Sequence, residues 1–179
     1  MKILIINFSG RNFGNCESIA SFIKENLKGE IHIRSFANMD IHPCGLCQYE
    51  CFDKRELCPF INDDIFKLYQ EISSSELVYF IVPNYSDYPC SNFFVFNERS
   101  QCYFSGRFDL LDEYEAISKR FIVISNTEQN NFIEVFKYHT DKELEVLFLG
   151  AKSFNKRSID GDLIESDVAK KEILEFIVL

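Results

Sequence analysis

No stretch of this 179-residue sequence approaches the ~20 consecutive apolar residues that a membrane-spanning helix requires. A helical span is therefore not expected. No Pro-, Gly- or Ser-rich tract divides the chain either. The four prolines (Pro43, Pro59, Pro83, Pro89) and seven glycines are scattered, so a single domain over residues 1–179 is expected, long enough for a full α/β core. Internal repeats and low-complexity tracts are absent. Positive charge is scarce: 19 Lys and Arg stand against 28 Asp and Glu, a net charge of −9. That balance repels nucleic acid and anionic membranes and argues against both as partners. Tryptophan is missing while phenylalanine numbers 19, which fits a well-filled core or apolar pairing surfaces, and equally an AT-rich coding bias. The first residues read as a strand rather than a signal peptide, so a cytoplasmic protein is expected. Seven cysteines are many for a reducing compartment, where structural disulfides are rare. Clustered, they point to metal or redox chemistry before cross-links.

What is present alternates. Residues 2–7 form an unbroken apolar run with β-branched side chains, as in a strand buried on both faces. Residues 15–28 place Ile19, Ala20, Phe22, Ile23 and Leu27 on one helical stripe. Ile31 and Ile33 alternate in a second strand over 30–36, and 40–62 reads as a cysteine-rich loop. Asn62-Asp63-Asp64 offers N-cap side chains to a helix carrying Ile65, Leu68, Tyr69 and Ile72. Leu77–Val82, Phe121–Ile124 and Val146–Leu149 read as three further buried strands, the first ended by Pro83 and the last by Gly150. Glu165-Ser166-Asp167 opens a final helix with Val168, Ile173, Leu174, Phe176 and Ile177. This alternation predicts a five-stranded parallel sheet in the order 2-1-3-4-5 with helices on both faces, and ligands at the carboxyl ends of strands 1 and 3.

The first strand stops at Ser9-Gly10-Arg11-Asn12-Phe13-Gly14-Asn15-Cys16, which feeds a helix. That geometry aims backbone N–H groups and the positive end of a helix dipole at one spot, where a phosphate fits. Ser9, Arg11 and Asn15 add short, charge-compatible donors, and Gly14 lets the chain pass close to a ligand. Cys16 brings a weak S–H donor or simply a small buried apolar group. The loop is neither a G-x-G-x-x-G fingerprint nor a P-loop ending in Lys-Ser/Thr. It resembles the FMN-phosphate loop of the NAD(P)H-dependent FMN reductase family, Ser-Pro-Arg-x-Gly-Gly-Asn-Thr/Ser. Ser9, Arg11, Gly14 and Asn15 stand in matching places, whereas Gly10 replaces the proline and Cys16 the hydroxyl residue. A second stretch, Pro83-Asn84-Tyr85-Ser86-Asp87-Tyr88-Pro89 on to Glu98-Arg99, resembles the same family's Pro-x-Tyr segment running to Asp-Arg. Read without the family, Pro-Asn-Tyr-Ser is a strand-ending turn. The resemblance implies that Pro83, Asn84, Tyr85 and Ser86 line the isoalloxazine ring, and that Ser125 and Asn126, opening the segment Ser125-Asn126-Thr127-Glu128-Gln129, reach its edge. The glycine that family members carry in that third segment is missing.

Cys44, Cys47, Cys51 and Cys58 form C-x2-C-x3-C-x6-C. Four thiolates so close in sequence can converge on a 4Fe-4S cluster or a tetrahedral zinc. From Pro43 to Asp63-Asp64 the stretch resembles the compact cysteine motif of iron–sulfur flavoproteins, with three residues (Gln48-Tyr49-Glu50) where that motif has two. A structural loop without metal, a cluster and a zinc site all remain open. A Cys44–Cys47 or Cys47–Cys51 disulfide could form on oxidation without stapling the fold. Cys90 and Cys102 read as small buried residues, and His32, His42 and His139 as isolated side chains.

Together the resemblances, which cover residues 1–100, imply a flavodoxin-like three-layer sandwich. The implied protein is an FMN-dependent oxidoreductase carrying electrons from NAD(P)H through FMN to an unidentified small-molecule or protein acceptor, a 4Fe-4S cluster being one of the open readings of its cysteine motif. No catalytic proton-transfer side chain is expected, because hydride transfer asks for alignment. A homodimer or homotetramer is implied. The alternative is a non-enzymatic electron carrier or a degenerate binding protein of the same fold.

Overall fold

The computed structural model of the chain describes residues 1–45, 47–126 and 133–178. Strand β1 (Lys2–Asn7) lies inside the sheet, one strand from its edge, paired in parallel with β2 (Glu30–Ser35) on one side and β3 (Leu77–Tyr85) on the other. β3 continues the parallel ladder to β5 (Ser118–Ser125), and β5 to β6 (Glu145–Gly150). A sixth strand, β4 (Tyr88–Pro89), departs from the expected five. It folds back antiparallel on the end of β3, so the path through the sheet is β2-β1-β3-β5-β6 with β4 off it. Pro83 does not end β3, which runs on to Tyr85. At that height β1 has already ended at Asn7, so the N–H that proline lacks has no ladder partner to miss on that side.

Helix α1 (Asn15–Asn26) follows β1, α2 (Asp64–Ser73) precedes β3, and α3 (Ser91–Phe104) and α4 (Phe108–Ala116) join β4 to β5. The short α5 (Ile133–Phe136) precedes β6, and α6 (Asp167–Ile177) closes the chain. None of these helices is long and apolar enough to cross a membrane. The expected caps form: Asp63 accepts from the Ile65 amide at 3.1 Å, and Ser166 from the Ala169 amide at 3.3 Å.

Side chains alternate across each strand, so the sheet buries two different faces. On one, Ile3, Ile5, Ile81, Ile122 and Ile124 meet Ile19 and Ile23 of α1 and Ile173 and Ile177 of α6. On the other, Leu4, Ile6, Phe8, Phe80 and Phe121 meet Tyr69, Phe93, Phe96, Tyr103, Tyr114 and Phe136. The abundant phenylalanine thus fills one side of the core. Phe80 alone sets its ring edge-on to Phe8, Phe96 and Phe121 at 5.1–5.7 Å, a favoured geometry for aromatic pairs.

Candidate functional site

Where β1 hands over to α1, the chain builds its own turn. The Asn7 side chain accepts from the Ser9 amide at 2.9 Å, and the Ser9 hydroxyl accepts from the Arg11 amide at 3.1 Å. Gly14 caps α1 without a side-chain hydrogen bond. Among the described residues no backbone carbonyl meets the amides of Asn15 and Cys16, the donors that a helix N-terminus leaves without an intrahelical partner. A Cβ on Gly14 would touch nothing within 4 Å, so the side of the turn that this Cβ would occupy is open. Ser9, Arg11, Gly14, Asn15 and Cys16 line a cleft together with Pro83, Asn84 and Tyr85 from β3. The two predicted loops do converge, at the point where β1 and β3 diverge to opposite neighbours. Burial, and then the nearby Cys90, push the Cys16 thiol far above its ordinary range. It is therefore a neutral, buried group, in line with the apolar reading.

Ser86 does not line this cleft. It occupies a two-residue hairpin turn with Asp87, both at positive φ (52° and 69°), between paired Tyr85 and Tyr88. Both central residues in the left-handed region make the tight turn that suits the twist of antiparallel strands. Ser125 and Asn126 act one step back. Ser125 accepts from the Asn84 side chain at 3.0 Å, and Asn126 accepts from the Ser158 amide at 2.8 Å. Thr127, Glu128 and Gln129 lie outside the described residues.

The sequence reading missed the cleft's other wall, Ile124 with Ser158 and Ile159. Residues 156–163 form a strap across the loop. The Asn15 side chain donates to the Ser158 carbonyl at 2.8 Å and accepts from the Leu163 amide at 2.9 Å, while Arg11 donates to the Ile159 carbonyl at 3.3 Å. Lys156 pairs with Asp162 and Glu165, and Arg157 with Asp160. Gly161, at φ +80°, faces the Phe13 carbonyl so closely that a Cβ would sit 3.2 Å from it. Glu17 also turns back and accepts from the Phe13 amide at 2.6 Å. The cavity that remains is about 30 Å³, room for a water or two. The one sequence signal for the strap was Gly161 between two aspartates, a turn pattern.

A parallel sheet in this order, with a cleft at its switch point, has a name. The fold is flavodoxin-like. No protein-family model matches the chain, and no curated protein matches it. Among solved structures it is similar to the Trp repressor binding protein from Bacillus subtilis (13% identity over 98% of this chain and 96% of that one, TM-score 0.62). It is also similar to RosB with a bound 8-demethyl-8-formylriboflavin-5'-phosphate intermediate (13%, 99% and 76%, TM-score 0.62). An azoreductase from Bacillus anthracis str. Sterne is a third (10%, 99% and 96%, TM-score 0.59). At such identities the likeness speaks to the fold.

The cysteine motif folds differently from the four-ligand expectation. Cys44 and Cys51 come together, but around Cys102 of α3, whose sulfur lies 3.6 Å from that of Cys44 and 3.5 Å from that of Cys51. Cys47 and Cys58 make no such sulfur contact among the described residues. There, no group of three or more Cys, His, Asp or Glu side chains forms a metal site, so Cys44, Cys47, Cys51 and Cys58 gain no support as cluster or zinc ligands. The spacing departure at Gln48-Tyr49-Glu50 has a structural counterpart: Tyr49 adopts a left-handed conformation (φ 64°) that starts the short helical turn Glu50–Phe52, and Cys51 is buried. Arg99 pins the segment from below. It is fully buried, donates to Asp63 at 2.6 Å, and reaches the His42 and Phe60 carbonyls at 2.6 and 3.2 Å.

Proposed function

We propose that this chain is a flavin-dependent oxidoreductase that holds FMN in the cleft between the start of α1 and the end of β3. One observation carries the reading: the amides of Asn15 and Cys16, which no backbone carbonyl meets among the described residues, open beside Gly14 at the sheet's switch point, the donor geometry that a phosphate dianion takes. Ser9 and Arg11 add a hydroxyl and a positive charge at the same wall. Asn84, steadied by Ser125, and the half-exposed Tyr85 offer a surface along β3. Bound FMN would supply hydride and electron transfer; the protein's part is to bind, orient and exclude water. RosB, of similar fold, carries a riboflavin phosphate intermediate, and the azoreductase is named for a reductive activity, which is consistent with this reading. NAD(P)H as donor, a small-molecule or protein acceptor, a homodimer or homotetramer and a cytoplasmic setting belong to the same proposal.

The strap favours a second reading. It already uses the Asn15 side chain and leaves a cavity of only about 30 Å³, as a degenerate binding protein or a carrier with restricted access would. Calorimetry with FMN separates the readings. The oxidoreductase reading expects saturable heat that Gly14→Asp weakens by more than ~tenfold, through like-charge repulsion with the phosphate. It also expects bleaching of the bound flavin by NADPH without oxygen. Binding without bleaching leaves a carrier. Absence of heat leaves a degenerate domain and overturns the FMN site.

A further inference from the structure

We propose that Cys44 and Cys102 form a peroxide-reactive disulfide site that locks the segment 40–63 onto α3, with Cys51 as a second partner for Cys102. The inference stands apart from the flavin reading and rests on a different part of the molecule.

The juxtaposition is built, not incidental. Glu98 accepts from the Cys44 amide at 2.7 Å. Glu98 and Cys102 are four residues apart on α3, hence on the same helical face. The bond that holds the Cys44 backbone therefore sets its side chain over Cys102. One residue further along α3, Arg99 ties down the His42 carbonyl and Asp63, so the chain is held two residues before Cys44 as well. The sulfur separation of 3.6 Å must shrink by about 1.5 Å to reach a disulfide bond of ~2.05 Å, within reach of side-chain rotation. The two cysteines are far apart in sequence, so the bond would close a long loop, unlike a Cys44–Cys47 link, which constrains almost nothing.

Exposure assigns the order of events. Cys44 is half-buried, whereas Cys51 and Cys102 are 2% and 1% exposed. Of these three, Cys44 is thus the thiol that solvent reaches. A hydroperoxide would oxidise it: the Cys44 sulfur takes the terminal peroxide oxygen, the O–O bond breaks, and water (or an alcohol) leaves, giving a sulfenic acid. The Cys102 sulfur then attacks that sulfenic sulfur. The S–O bond breaks, the S–S bond forms, and the Cys102 proton departs with the hydroxyl as a second water. Two thiols lose two electrons in all, and the peroxide gains them. Cys51, 3.5 Å from Cys102, can next displace Cys44 by thiol–disulfide exchange, returning a free thiol to the surface.

The test uses the full chain and hydrogen peroxide, followed by alkylation in denaturant and peptide mapping. The expected result is loss of two of the seven thiols and a linked pair joining Cys102 to Cys44 or Cys51. Dimedone should label Cys44 several-fold more in C102S than in the wild type, because the sulfenic acid there has lost its resolving partner. A Cys58→Ser control should leave the link intact. A wild-type map with Cys44 joined to Cys47, or with Cys102 still alkylated after peroxide has consumed other thiols, overturns the proposal. So does unlinked protein after excess peroxide. The wild-type map keeps the proposal decidable even if C102S misfolds.

Discussion

The cleft at the ends of β1 and β3 and the thiol-bearing segment 40–63 are both irregular chain laid against the sheet, but they are held in opposite ways. The strap over the cleft is fastened by neutral side-chain and carbonyl contacts, Asn15 to Ser158 and Leu163, and by charged pairs that water reaches, such as Arg157–Asp160. The thiol segment is fastened by a buried ion pair, Arg99 to Asp63, with the guanidinium 5.6 Å from the centres of the Phe60 and Phe66 rings. Exposed pairs contribute little, whereas a buried charge that loses its partner is costly. The strap can therefore move for a modest penalty, as a ligand arriving at the cleft would require, while the thiol segment is fixed in register against α3. A cover that can be displaced at modest cost suits binding; a firmly held one suits two sulfurs that must meet.

The largest expected effect breaks the contrast at its firm end. Arg99→Ala leaves Asp63 buried without its partner and should cost about 3–5 kcal/mol in urea unfolding; a loss below ~1 kcal/mol would erase the distinction between the regions. Next comes acid sensitivity in the aromatic core behind the thiol segment. Burial, and then the charge of Lys119, hold the His139 ring down at about 3, and its Nδ1 sits 2.8 Å from the Tyr114 hydroxyl. The unfolded chain takes up that proton near pH 6.5 and the folded one does not. Stability is thus intact above pH 6.5 and falls as pH drops toward 3, by up to ~1.4 kcal/mol per pH unit. Urea unfolding between pH 4.5 and 6.5 should show that slope, and His139→Gln should flatten it. The smallest effect lies at the cleft. Asn15→Ala removes the two bonds that Asn15 makes to the strap and should cost about 1–2 kcal/mol, with faster hydrogen exchange confined to residues 156–163. Exchange spreading into β1 or β3 would mean that the strap is part of the core rather than a cover.

The inner strands β1, β3 and β5 were legible because they are buried on both faces, so Leu77–Val82 and Phe121–Ile124 announce themselves as apolar runs. The phosphate loop was legible because a strand, a polar turn and a helix are local features. Helix α3 was hidden by Arg99, a charged residue in the middle of its buried stripe of Phe93, Phe96, Cys102 and Tyr103. The hairpin at Ser86-Asp87 was hidden because it lacks the glycine that usually marks such a turn. Ser158 and Ile159 were out of view because more than a hundred residues separate them from the loop they cover.

By itself, the sequence determined the parallel α/β architecture, the helix start that presents free amides, and the caps at Asp63 and Ser166, because these follow from periodicity and from hydrogen bonds between near neighbours. The tertiary structure decided what covers the amides and which sulfurs meet. Cys102 comes to Cys44 and Cys51 only because Glu98 and Arg99 dock the segment on α3, and contacts between residues so distant along the chain are set by packing, which no local pattern encodes.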